Sequence, residues 1–195
     1  MSDKLQRVLQ QIDAINQEDP NQEQVDGNSV AKEFIYGQRM SSCLAEHWPE
    51  ASEHLKIAVR AQHVKRWAIA RSSYPEGKVG YLTWRKDLGK LHAKTAHDIM
   101  IEHGYGQDDA EQTASIIRKE KLKSNPESQT LEDVACLVFL SYHFAPFAAK
   151  HDDEKVISIV QKTWRKMSEK GHEIALSLTL PAHLAKIVER ALSGK

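Results

Sequence analysis

Three side chains in this chain have the types and the setting for a metal centre: His63 in RAQHVKRW, His92 in LHAKTAHD and Asp133 in LEDVACLVFL. They lie 29 (92 − 63) and 41 (133 − 92) residues apart, each on a segment with helical periodicity, so helix packing has to bring them together. Two imidazoles and one carboxylate make a workable first shell for a divalent transition metal, and a shell with an open position activates bound water to hydroxide. Each residue also has a plainer reading. A single buried histidine is more often a hydrogen-bonded core residue, and Asp133 closes a capping box that starts at Thr130.

Arg60, Arg66, Arg71 and Arg85 crowd the same stretch of sequence. A guanidinium is always charged and forks onto phosphate oxygens, so Arg66, Arg71 and Arg85 are candidate binding groups for a phosphate ester or another small anion. Pairing with Glu50, Glu53, Glu76 or Asp87 is the competing reading. Glu132, beside Asp133, is the candidate acceptor or relay for the proton of an attacking water. Trp67, Tyr74, Tyr81 and Trp84 fall within 18 residues. Such aromatics can stack a base, although in a helical protein they more often form core.

A helical wheel decides which histidine of LHAKTAHD faces inward. Advancing roughly 100° per residue from Tyr81 gathers Trp84, Leu88, Leu91, Thr95 and Ile99 on one arc, the expected core stripe. His92 falls at about 20° and Arg85 at about 40°, inside or bordering that arc, whereas His97 falls at about 160°. His97 therefore faces solvent, while Asp98 falls at about 260°, and His92 is the interior residue.

The elements that must position these groups are helices. Apolar residues recur at steps of three and four over about 3–15, 29–47, 50–71, 78–103, 108–122, 126–149, 153–168 and 181–192. Between them lie WPEAS, SSYPEGK, HGYGQDD and KSNPES, and no stretch sustains the alternation of a strand. The expectation is an all-α protein of seven to nine helices without internal repeats. Residues 1–28 read as an N-terminal helix followed by a polar linker or arm, NQEDPNQEQVDGN, and 29–195 as one helical domain.

Lys plus Arg and Asp plus Glu both total 27, so the formal net charge is zero and the broad basic field of a general nucleic-acid binder is missing. Cys43 and Cys136 are far apart within apolar helical patterns, which argues against a disulfide framework and for core filling. MSDKLQRVLQQID (1–13) has no apolar h-region, and the longest apolar run, VACLVFL, is short for a bilayer. A soluble cytoplasmic protein without a membrane partner is expected. KMSEK (166–170) approaches the KMSKS loop of class I aminoacyl-tRNA synthetases, yet the strands and the HIGH signature of those enzymes are absent; it reads as a helix C-terminus with Gly171 just beyond.

The run from YGQRM (36–40) through RAQHVKRW, SSYPEGKVGYLTWR, LHA and EDVACLVFL to EKVISIVQKTWRKMSEKG resembles an uncharacterised bacterial family, the domain of unknown function 4202. The likeness covers nearly the whole chain, including NQEDP near its start. That family is in turn distantly similar to the HD-domain phosphohydrolases, all-α proteins in which a first His, a His-Asp pair and a later Asp bind metal. The resemblance implies an HD-like fold with His63 as the first His, His92 as the His of the pair and Asp133 as the late Asp. Ala93 stands where the pair has its Asp, which leaves three ligands unless Glu132 or a water joins them. It also implies a divalent cofactor (Mn, Fe, Co, Zn or Mg) and hydrolysis of a small phosphorylated, nucleotide-like compound, with Arg66, Arg71 and Arg85 on the anion and Glu132 on the proton. The alternative from another class is a non-catalytic helical binding or interaction protein that keeps the His/Asp/Arg set as a structural network.

Overall fold

Leu5, Val8 and Ile12 recur at helical steps, and helix α1 (Asp3–Gln17) buries all three, with Ser2 capping its start by accepting from the Leu5 amide. The computed structural model describes residues 2–122 and 124–193, which fall into two compact units, Met1–Leu131 and Glu132–Lys195. The expected arm at 1–28 is thus part of the first unit. Its polar tail is not a linker either: β1 (Gln22–Val25) and β2 (Asn28–Ala31) form an antiparallel hairpin with Val25 opposite Asn28. Asp26 (φ 49°) and Gly27 (φ 81°) both occupy the left-handed region, as a two-residue hairpin turn requires.

The hairpin leads into α2 (Lys32–His47), whose first turn is capped from outside. Buried Asp19 accepts from the amide and side chain of Asn21 through Oδ1 and from the Glu33 amide through Oδ2. Helix α3 (Glu53–Ala61) starts at a Ser52 cap and stops well short of the expected residue 71. Lys65 takes a left-handed conformation (φ 59°), its amide donating to Asn16 Oδ1 of α1, and two short 3-10 turns, Arg66–Ala68 and Arg71–Ser73, replace the helix. A side-chain acceptor 49 residues away thus fixes a chain reversal that the apolar pattern alone reads as continuous helix.

Helix α4 (Gly77–Glu102) buries Trp84, Leu88, His92, Ala96 and Ile99, a stripe at helical spacing close to the expected one, while Tyr81 lies outside it and is exposed. Helix α5 (Gln107–Ile117) ends in a turn with Lys119 and Lys121 at positive φ. The core of this unit includes Leu5, Ile12, Met40, Leu44, Ile57, Leu88, Met100 and Ile116.

Helix α6 (Pro126–Val138) crosses the boundary between the units. Asn125 Oδ1 caps it by accepting from the Glu127 and Ser128 amides, so the capping box expected at Thr130 does not form; Thr130 sits inside the helix and donates to the Pro126 carbonyl. A π turn over Phe139–His143 leads into α7 (Phe144–Ala148). Pro146 is its cause: the ring has no N–H to donate and crowds the carbonyl four residues back. The continuous stretch Pro126–Ala148 is long and apolar enough, by length and composition, to cross a membrane, and half of its apolar window is buried inside the protein, as in the core helix of a globular unit.

The second unit continues with α8 (Asp153–Trp164), α9 (Glu169–Ser177) and α10 (Ala182–Ser193). KMSEK is not a helix end. Helix α8 stops at Trp164, Ser168 caps α9 by accepting from the Gly171 amide, and Gly171 lies inside that helix. Ten α-helices and one small hairpin are the described elements, which makes the chain all-α. The helices beyond the expected runs arise where the π turn divides the 126–149 run and where the Ser168 cap starts α9 in a stretch, 169–180, with no expected helix.

Candidate functional site

Glu33 and Tyr36 sit three residues apart in the first turns of α2, on one face. The outside cap from Asp19 fixes the Glu33 backbone, and the carboxylate is buried beneath His63, which the reversal after α3 presents to it. His63 Nδ1 donates to Glu33 Oε2 at 3.1 Å, and Tyr36 stacks on the imidazole at 4.2 Å and 11°. Arg66 reaches both partners: its NH1 donates to His63 Nε2 at 3.4 Å, and its Nε lies 3.6 Å from Glu33 Oε1. A guanidinium only donates, so His63 Nε2 is the bare nitrogen and Nδ1 bears the proton.

Arg66 is also held over the indole of Trp84 at 4.8 Å, while the Trp84 N–H donates to the Ile69 carbonyl at 2.9 Å. About two turns further along α4 is His92, with its ring 5.9 Å from that of His63. His92 Nδ1 donates to the Val64 carbonyl at 2.7 Å, which again fixes the tautomer. Its Nε2 is buried and has no hydrogen-bond partner among the described residues.

Both histidines line a cavity of about 440 Å³ in the first unit. Among the described residues six basic side chains surround it, Arg66, Arg85, Lys86, Lys90, Arg118 and Lys119, against one carboxylate, Glu120. Some of this charge is balanced locally: Arg118 contacts Glu111 and Glu120, and Lys90 contacts Asp87. Arg85 lies over the Tyr81 ring at 5.8 Å, and neither it nor Lys86 has an ion-pair partner among the described residues. In a neutral protein this is a concentrated cationic wall.

Burial dominates the titration of the two groups behind that wall. The Glu33 carboxyl is pushed up to about 7, first by loss of water and then by the Asp19 charge, against the pull of Arg66. His92 is pushed down to about 3, first by burial and then by His63. A neutral His92 with Nδ1 committed to a carbonyl can offer only an acceptor at Nε2.

The expected site residues divide as follows. His63, His92, Arg66 and Arg85 come together around the cavity. Arg71 does not line it; its guanidinium donates to the carbonyls of Tyr74 and Pro75 and braces that loop. Asp133 and Glu132 belong to the second unit. There Asp133 accepts from the Ser168 amide at 2.8 Å and from its hydroxyl at 2.5 Å, and Glu132 lies 3.4 Å from Lys166. Among the described residues no three His, Cys, Asp or Glu side chains gather as a metal-holding group. Ala93 is packed into the core, and Arg60 is an internal brace bonded to Ser41 and both oxygens of Asp13. His97 stays off the cavity as the wheel requires, contacting Asp98 and Gln107.

Sequence reasoning missed Glu33, Tyr36, Gln62, Lys86, Lys90 and the 118–120 turn. The Glu33/Tyr36 spacing was a usable signal, since i,i+3 residues share a helix face; the lysines read as an ordinary solvated surface.

No curated protein and no solved structure matches the chain. A family model described as a domain of unknown function (DUF4202) matches residues 6–188, from α1 into α10 and across both units. The chain belongs to that family.

Proposed function

We propose that the cavity binds a small phosphorylated, nucleotide-like compound and that the protein hydrolyses it. The observation that carries this reading is the cavity wall: among the described residues, six basic side chains and a single carboxylate around a space that two histidines line. Anionic oxygens are the natural complement of Arg85 and Lys86, and the stacking of Arg66 on Trp84 holds one guanidinium fork in place before a ligand arrives.

The hydrolytic part rests on His63. Its Nε2 lone pair is oriented by the Nδ1 contact to Glu33 and the stack on Tyr36, the arrangement in which a carboxylate positions an imidazole and supports the imidazolium formed when it takes a proton. When Arg66 turns from His63 Nε2 to the phosphoryl oxygens, that lone pair takes the proton of the attacking water as the ester P–O bond breaks; Glu33 supports the resulting cation, the leaving alkoxide takes the proton from it, and Arg66 and Arg85 neutralise charge on the phosphoryl group. A divalent ion held by His63 and His92, the two imidazoles that line the cavity, would add Lewis acidity. Its contribution is read directly by running the assay with and without Mn²⁺ or Mg²⁺.

The test is calorimetric titration with inorganic phosphate and adenosine monophosphate, alongside phosphate release from a panel of phosphate monoesters. Phosphate binds wild type, and Arg85→Ala weakens it about tenfold or more, the worth of one charge-assisted contact. Absence of phosphate binding, or equal binding by the variant, overturns the site. Binding without turnover of any ester leaves the protein a binding module.

A further inference from the structure

Two buried acceptors line the cavity without any partner among the described residues, His92 Nε2 and Gln62 Oε1. The first is the more telling because its chemistry is fixed. The Val64 carbonyl can only accept, so His92 Nδ1 bears the ring proton and Nε2 exposes a lone pair. The residue is 3 % exposed. An acceptor left buried and unmatched costs as much as a lost hydrogen bond and calls for a partner, and His92, unlike Thr113, lines the cavity where a ligand group can supply one.

An anion alone does not satisfy this atom. An ionised phosphate brings only acceptors, which suit Arg85 and Lys86 but repel a second lone pair. The cavity therefore has two chemical halves, one that wants negative charge and one that wants an O–H or N–H donor. We propose that the natural ligand is a phosphate monoester bearing a hydroxyl or amino donor, which His92 Nε2 reads as the specificity-determining contact, with the Gln62 amide able to take a second polar group. This deepens the anion-site reading above and rests on it. It selects phosphorylated polyols, sugars and nucleosides over inorganic phosphate and alkyl phosphates, and makes His92 a reader of the organic part.

The test uses the full chain treated with chelator and three probes: inorganic phosphate, glycerol 3-phosphate and propyl phosphate, the last two differing in their hydroxyls. Wild type is expected to bind glycerol 3-phosphate about tenfold or more tighter than propyl phosphate, the worth of matching a buried acceptor. His92→Asn retains an N–H near the Nδ1 position for the Val64 carbonyl and removes the Nε2 acceptor. It is expected to bring the ratio to about one and to leave inorganic phosphate affinity within about twofold. A readout on wild type alone covers the case in which the variant does not fold: the ¹⁵N resonance of His92 Nε2 moves upfield when glycerol 3-phosphate is added and stays in place with propyl phosphate. Three results overturn the inference while the anion site stands: a wild-type ratio near one, a ratio that survives in His92→Asn, or discrimination that exists only with added divalent ion, which gives the lone pair to a metal. Failure of inorganic phosphate and of both esters to bind removes the anion site as well.

Discussion

Replacing Glu33 with glutamine tests the electrostatics of the site without any ligand. The Glu33 carboxyl, 8 % exposed, holds its proton up to about pH 7 in the folded chain, against an ordinary value of 4.5. Between those values the folded state keeps a proton that the unfolded state has released, so this group lowers stability as pH rises from 4.5 to 7. His92 acts in the opposite sense. Its folded value of about 3, against 6.5, means that the unfolded state takes up a proton the folded state refuses, and stability falls as pH drops from 6.5 toward 3. From pH 4.5 to 6.5 the two effects overlap and cancel, because the folded state binds one proton more at Glu33 and one fewer at His92.

Glu33→Gln removes one side of that balance. The His92 contribution then appears alone, and two pH units at about 1.36 kcal/mol each give a loss of about 3 kcal/mol between pH 6.5 and 4.5 relative to wild type. Urea unfolding followed by tryptophan fluorescence at pH 4.5, 5.5 and 6.5 measures it. The signal reports chiefly on the right part of the molecule, since Trp48, Trp67 and Trp84 lie in Met1–Leu131. Titrating groups that do not touch Glu33 drop out of the difference between the two proteins, and His63→Gln in both backgrounds removes the histidine that does touch it. Parallel stability curves for variant and wild type would refute the reasoning, because they would mean that Glu33 is already ionised in the folded chain at pH 4.5.

Asp133→Ala is expected to destabilise the second unit by about 2–4 kcal/mol, the loss of two bonds to an ionised acceptor, and to fray α9 at its Ser168 cap; amide hydrogen exchange over 168–172 reads the fraying. Gly80→Ala places a Cβ 1.9 Å from the Pro75 carbonyl oxygen, a backbone atom that cannot swing aside, and should lower the thermal midpoint by the equivalent of at least about 2 kcal/mol. Arg71→Ala should loosen the 71–75 loop, seen as faster proteolysis there, and leave phosphate affinity within about twofold, in contrast to Arg85→Ala.

The difference between those two arginines shows where a sequence is readable. Arg85 and His92 share α4, and a single 3.6-residue period fixes which side of a 26-residue helix is buried, so the face they occupy follows from Trp84, Leu88 and Ile99 alone. Arg71 lies beyond the point where α3 gives way to a left-handed turn. That turn depends on Asn16 accepting from the Lys65 amide, a contact between segments 49 residues apart that no local period encodes. The same kind of long-range capping hid Glu33, whose backbone is held by Asp19 across 14 residues, and placed Ser168, rather than a helix end, at KMSEK, because Asp133 reaches it across 35. In each case a buried carboxylate or amide accepts from a backbone N–H that starts or reverses an element, so the pattern of apolar residues stays intact while the boundary moves. The Asp26-Gly27 turn differs in that its signal is local but went unread: two residues that tolerate positive φ join short strands whose polarity made the hairpin resemble a linker. The elements whose faces a period determines supplied His92 and Arg85. The elements whose ends are set by distant acceptors supplied Glu33, Tyr36 and the orientation of His63, which together turn a cationic hollow into a site with a directed lone pair.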